Sequence, residues 1–341
     1  MLVDYHVHLE EGPYNHKWAQ RTVQALNSFN PNPYPSSSKK AVEFNIKALH
    51  ERICFGDYSE QWLDYYLQRA KQLDLKEVGI VDHLYRFKET KAYFENAIDV
   101  NDQTDLGKLQ YRWLNNVSTH SMADFVTLIE NAKERWASEG VQLRLGLEAD
   151  YFVGQEAALS NFVNEHPWDY VIGSVHFIDG WGFDNPDMQN RFKDFNLKQL
   201  YTQFYETVEK MIQSELFDFV AHLDNLKVFN YRVDDEAFNE YWYERIAASL
   251  VKTNTATEIN AGLFYRYPVK ESCPAPSFLR KLIEVGVPIT LSSDAHYPDD
   301  VGTCIAEHSQ LLLAAGVTQV ATFKNRKRIM LDLQKAKSRS K

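Results

Sequence analysis

The sequence is poor in cysteine. Its three, Cys54, Cys273 and Cys304, lie far apart in 341 residues, which excludes a disulfide framework and makes a reducing cytosol the expected compartment. No apolar run reaches membrane length, and Met1 is followed directly by a strand pattern carrying Asp4, so neither a transmembrane helix nor a signal peptide is expected. A basic excess is missing too: 37 Lys and Arg face 47 Asp and Glu, for a net charge of −10. That argues against nucleic-acid binding and for a soluble, cytoplasmic protein without a membrane partner. An anionic small substrate stays compatible, because a bound metal ion outweighs the overall balance locally. Internal repeats and linkers are absent, and 44% of the residues are hydrophobic, enough for one large core.

What is present is a set of donors at strand ends. Val287–Leu291 reads as a strand buried on both faces, and Ser292-Ser293-Asp294-Ala295-His296 follows it. On an extended chain, positions i and i+2 face one side, so Asp294 and His296 are expected to project together. A buried carboxylate there is either hydrogen-bonded to the histidine or part of a metal site. A second strand, Leu2-Val3-Asp4-Tyr5-His6-Val7-His8, places His6 and His8 on one face and favours the metal. Imidazoles with carboxylates suit Zn, Fe or Mn better than Ca or Mg. Glu10, two residues on, either completes His-x-His-x-Glu or is a solvated loop acid.

Further along, Asn15–Leu49 is expected to be a loop or lid, with a Pro- and Ser-rich Asn30–Ser38 segment. Ser59–Leu73 has helical spacing with Ser59 as N-cap. Val78–His83 is a strand ending in His83. Tyr85–Thr119 has no clean period and reads as an insertion over the barrel mouth, where Arg86 and Lys88 either meet an anion or form a solvated face. Met122–Trp136 is an amphipathic helix. Strands follow at Leu143–Asp150 with Glu148, at Tyr170–His176, at Phe217–His222 and at Thr255–Asn260, with helices at Glu156–Glu165, Leu197–Ser214, Tyr241–Val251 and Phe278–Val285. Alternating buried strands and helices imply a parallel sheet, and titratable residues repeated at C-terminal strand ends are where a (β/α) barrel builds its active site.

These residues resemble the PHP (polymerase and histidinol phosphatase) family, in its histidinol-phosphate phosphatase branch. The resemblance is carried by Asp4–His8, Val81-Asp82-His83, Gly146–Tyr151, Ile172–Phe177, Ala221-His222-Leu223-Asp224 and Thr290–His296, in that order. It implies a distorted (β/α)7 TIM-like barrel spanning residues 1–334, with insertions at about 12–60 and 85–119 and a basic tail at 335–341. It also implies two or three metal ions: His6, His8, Glu148 and Asp294 on one, Glu148, His176 and His222 on a second, His83 and His296 on a third. Where many relatives place another histidine the chain has Tyr14, and Glu10, then Glu11, is the local substitute. The implied chemistry is phosphomonoester hydrolysis, with L-histidinol phosphate as the expected substrate in histidine biosynthesis. The catalytic residues would be Asp294 and His296, with Asp294 taking a proton from the nucleophile. Another PHP phosphoesterase, or a non-catalytic module on the same scaffold, is the alternative. Phosphate favours a bidentate cation, so Arg266, then Lys270, is the candidate for gripping it. Phe177, Trp181 and Tyr151 either flank an imidazole ring or pack at the barrel rim.

Overall fold

The computed structural model of the chain describes residues 2–9 and 12–333; Glu10, Glu11 and the expected basic tail lie outside them. β1 (Leu2–His8) is followed by α1 (His16–Phe29), α2 (Lys39–Phe55), α3 (Glu60–Gln72) and β2 (Leu75–Val81). Next come α4 (Lys91–Glu95), α5 (Asp105–Val117), α6 (Met122–Ser138) and β3 (Gln142–Asp150), then α7 (Glu156–Glu165) and β4 (Tyr170–Ser174). A small hairpin, β5 (Phe177–Ile178) and β6 (Trp181–Gly182), precedes α8 (Leu197–Gln213), β7 (Phe219–Val220), α9 (Glu236–Thr253) and β8 (Ala256–Asn260). The chain continues through α10 (Gly262–Arg266), α11 (Pro276–Glu284), β9 (Ile289–Ser292) and α12 (Ile305–Ala314) to a hairpin of β10 (Gln319–Lys324) and β11 (Lys327–Asp332).

Seven strands form one parallel sheet in the order β1-β2-β3-β4-β7-β8-β9. β4, β8 and β9 are buried along their whole length, as helix-covered parallel strands must be. The sheet nearly closes into a barrel where β1 meets the end of β9. Val7 bridges Ala295 in parallel, and His8 N–H donates to Ala295 O over 2.7 Å. Asp4 ties the seam from below: its buried carboxylate accepts Ser293 N–H (2.8 Å), Ser293 Oγ–H (2.5 Å) and Gly302 N–H (2.9 Å). Inside the barrel Tyr170 donates to Tyr5 O (2.8 Å). A Cβ on Gly79 or Gly146 would fall 2.0 or 2.4 Å from Tyr170 side-chain atoms, so glycine is required on both neighbouring strands.

Several barrel helices begin where the sequence indicates, and Ser59 Oγ accepts Trp62 N–H at the start of α3; α9, expected from Tyr241, begins earlier at Glu236, and α12 has no counterpart among the expected helices. Residues 15–49, expected as a loop or lid, contain two helices instead, N-capped by Asn15 and Ser38. The reason is packing: α2 buries only Ala41 and Arg52, so no apolar stripe announces it. The 85–119 segment likewise folds, into short turns, α4 and α5. Arg86 is fully buried rather than solvated, donating to Tyr14 Oη over 2.9 Å, whereas Lys88 is exposed.

Candidate metal centre

Glu148, near the end of β3 and 1% exposed, is the hub. Its Oε2 lies 3.2 Å from His6 Nε2, 3.2 Å from His8 Nε2 and 2.8 Å from His83 Nδ1. Its Oε1 lies 3.1 Å from His222 Nε2 and 3.6 Å from His176 Nε2. Five imidazoles from four strand ends, two of them on β1, thus surround one carboxylate. The seventh strand adds Asp294, whose Oδ1 is 3.7 Å from His8 Nε2 and 3.3 Å from His296 Nε2. The His8 ring stacks against both His83 (centroids 4.1 Å apart) and His296 (4.3 Å), whose own centroids are 5.9 Å apart.

Two of these donors leave the strand ladder to get there. His222 and Asp294 have φ of +25° and +56°, conformations that a non-glycine residue adopts only when its surroundings hold it. Asp294 and His296 converge as the spacing predicts, but the chain between them is turned rather than extended, since β9 ends at Ser292.

Three groups of donors have ligand atoms within 4.8 Å of one another: His6, His8 and Glu148; His83, Glu148 and His176; and His8, His83 and His296. His83 therefore sits beside Glu148 as well as His296, and His8 serves two groups. The donors fit metal ions. His6 Nε2 and His8 Nε2 are 3.0 Å apart, close to the ~3 Å that separates two nitrogens each about 2.0–2.1 Å from one ion. Glu148 Oε2 is buried without a hydrogen bond, although three imidazoles surround it. Such an atom is costly unless a cation meets it.

A shell of carboxylates aims the histidines. Glu258, on β8 and fully buried, places Oε2 3.1 Å from His6 Nδ1, while its Oε1 accepts His222 N–H (3.0 Å) and Asn260 Nδ2–H (2.8 Å). Asp150 Oδ1 lies 2.7 Å from His176 Nδ1. Asp82 accepts Tyr58 Oη–H (2.6 Å) and His83 N–H (3.0 Å). A carboxylate on Nδ1 fixes the tautomer and leaves Nε2 for a metal. Neither Glu258 nor Asp150 stands out as a functional residue in the sequence. The available signal is a carboxylate inside a strand buried on both faces, which needs a partner.

The charges are interlocked. Burial works against ionisation of Glu148, yet His83 and His6 hold its carboxyl well below the usual range. Asp294 is likewise held down against burial, by Arg266, His6 and His296. Burial opposes protonation of His176, but Asp150 and Glu148 push it up to about 10; His83, buried beside His8, falls to about 3.

The centre forms one wall of a cavity of about 610 Å³, which Arg266, Asp184 and Phe177 also line. Arg266 Nη2 is 2.8 Å from Asp294 Oδ2. A Cβ at Gly262 would lie 2.3 Å from that oxygen and 2.8 Å from Arg266 Nη2, so only glycine leaves room for the pair. Of the other expected residues, Lys270 is exposed, donating to Tyr265 O (3.4 Å), and does not line the cavity. Tyr151 lines a different cavity, and Trp181 is buried against Phe195. Tyr14 donates to Asp57 (2.6 Å).

Comparison with known proteins points the same way. The PHP domain family model matches residues 48–262. A Deinococcus radiodurans protein named "Probable histidinol-phosphatase" is 34% identical over 219 residues, 63% of this chain and 82% of that protein. One of the same name from Clostridium acetobutylicum is 24% identical over 221 residues, 63% and 84% of the two chains. Among solved structures, histidinol phosphate phosphatase from Lactococcus lactis, complexed with zinc, L-histidinol and phosphate, superposes with a TM-score of 0.61 at 19% identity, covering 78% of this chain and 92% of that one. A Listeria monocytogenes structure gives 0.60, also at 19% identity, over 72% and 93%. No helix among the described residues is long and apolar enough to cross a membrane. With seven parallel strands whose ends converge on a His, Glu and Asp cluster, the chain belongs to the PHP domain family.

Proposed function

We propose that the protein is a metal-dependent histidinol-phosphatase, hydrolysing L-histidinol phosphate to L-histidinol and phosphate. The observation that carries this reading is the Glu148 hub: five imidazoles and Asp294 brought together at one rim, in a chain 34% identical to a protein of that name. His6, His8, His83, Glu148, His176, His222, Asp294 and His296 would hold two or three ions of Zn, Fe or Mn. Bound there, metal ions supply Lewis acidity towards phosphoryl oxygens and lower the pKa of water.

The chain's own residues do the remaining work. Glu258 and Asp150 orient His6 and His176. Arg266 has the fork geometry to take two phosphate oxygens, and its 2.8 Å pairing with Asp294 Oδ2 sets it beside the centre. Arg266, His6 and His296 keep Asp294 ionised against burial, and its carboxylate would be the acceptor for the proton of the attacking water. His296, 3.3 Å from Asp294 Oδ1, keeps that carboxylate turned to the cavity.

Phosphate release is measured with L-histidinol phosphate beside a panel of other small phosphoesters, for the wild type and His176→Ala. L-histidinol phosphate should be the best substrate, and the variant should be inactive but folded. Preference for an unrelated phosphoester, or full activity in the variant, refutes the reading.

A further inference from the structure

The cavity is larger than hydrolysis of a phosphate alone requires. At about 610 Å³ it falls in the range of roughly 300–1,000 Å³ that houses whole small ligands, so most of its wall is left for the leaving group. That wall has two characters. One part is aromatic: Tyr85 stacks on His83 (centroids 4.4 Å, 16° between planes), Trp113 lies 4.8 Å from Tyr85, and Phe177 lies 6.0 Å from Trp113. All three line the cavity and offer ring faces and edges to a flat heterocycle.

The other part is Asp184. It follows β6, where Phe183 N–H donates to His176 O over 3.1 Å, so its position is tied to a residue of the metal centre. It lines the cavity with His176, His222 and Asn225. It belongs to none of the three donor groups, and its carboxylate forms no ion pair with a lysine or arginine among the described residues. The positive groups nearest it are the imidazoles of His176 and His222, both assigned to the centre. With no lysine or arginine beside it, a carboxylate set into a cavity wall is costly to keep ionised, and an incoming ammonium group relieves the cost.

We infer that Asp184 is the specificity residue for the leaving group, binding an ammonium nitrogen of the substrate while Tyr85, Trp113 and Phe177 hold its ring. The inference rests on the proposed function, since L-histidinol carries both a primary amine and an imidazole. It divides the substrate: the phosphate goes to the Arg266 side of the cavity, the cationic end to Asp184.

The test compares metal-loaded wild type, Asp184→Asn and Asp184→Glu. L-histidinol phosphate and p-nitrophenyl phosphate, whose leaving group has no cation, are the substrates, and L-histidinol is the inhibitor. Loss of a charge-assisted contact should raise KM for L-histidinol phosphate and Ki for L-histidinol by about 10- to 100-fold in Asp184→Asn. The ratio of kcat/KM for the two substrates should fall by a similar factor, metal content should match the wild type, and Asp184→Glu should recover part of the loss. An equal loss on both substrates, or loss of metal, overturns the assignment. A wild type that hydrolyses p-nitrophenyl phosphate but not L-histidinol phosphate defeats the proposed function instead. In that case 2-aminoethyl phosphate replaces the first substrate: an Asp184-dependent preference for it upholds the ammonium site, and no preference overturns it.

Discussion

Replacing Glu258 by Gln should weaken metal binding without touching a ligand. In the wild type Glu258 Oε1 takes the His222 and Asn260 donors, and Oε2 faces His6 Nδ1 at 3.1 Å. A glutamine keeps the first two bonds by placing its carbonyl oxygen where Oε1 stood. Its NH2 then occupies the Oε2 position and donates to His6 Nδ1, which must accept. A neutral imidazole that accepts at Nδ1 carries its proton on Nε2, the atom 3.0 Å from His8 Nε2 and 3.2 Å from Glu148. The lone pair owed to a metal is then blocked. Loss of such an orienting carboxylate typically weakens metal binding about 10- to 100-fold, or about 1.4–2.7 kcal/mol. Chelator competition on purified protein reads the affinity directly, and melting of the metal-stripped forms checks that the fold survives. If Glu258→Gln holds metal as tightly as the wild type, His6 is not oriented in this way.

Two further expectations follow from the geometry. Gly262→Ala places a methyl 2.3 Å from Asp294 Oδ2 and 2.8 Å from Arg266 Nη2, so the pair must shift; kcat should fall about 100-fold with little change in melting temperature, and a wild-type kcat would show the pair to be dispensable. Away from the centre, Asp57 accepts from Tyr14 (2.6 Å) and lies 3.1 Å from His120 Nε2. Burial alone would raise its pKa, but the bonds from His120 and Tyr14 bring it to about 2. A folded-state pKa below the unfolded value stabilises the protein above the unfolded pKa, and the benefit is lost as pH falls towards 2, a contribution of about 2 kcal/mol. In urea unfolding, Asp57→Asn should be less stable by that amount at pH 7, with the gap closing below pH 4; a gap that does not change with pH contradicts the argument.

Much of the fold can be read from the sequence because its parallel strands are short apolar runs that each end in a polar donor. Val78–His83 and Leu143–Asp150 show both features, and the helices between them carry an apolar stripe. Residues 15–55 were opaque for the opposite reason: α2 leaves Val42, Ile46, Ile53 and Phe55 exposed and hides only two residues, so burial leaves no period in the sequence. β7 shrinks to Phe219–Val220 because the turn at His222, invisible in composition, takes the chain off the ladder. At the site, the donors at strand ends were legible as a set. Their sharing was not: His83 beside Glu148 follows from the bridge between those two residues, and Glu258 acts through a ring nitrogen that sequence spacing cannot orient. Asp184 sits in a loop whose path depends on the β5–β6 hairpin.

The central claim is that donors from every barrel strand but β8 bind metal ions on which phosphate release depends. The direct measurement is phosphate release from L-histidinol phosphate by samples whose metal content is determined in the same preparation, before chelation, after it and after metal is returned. Two or more ions per chain, activity that disappears with them and recovers on reloading, is the predicted result. A metal-free sample turning over at the full rate would contradict it.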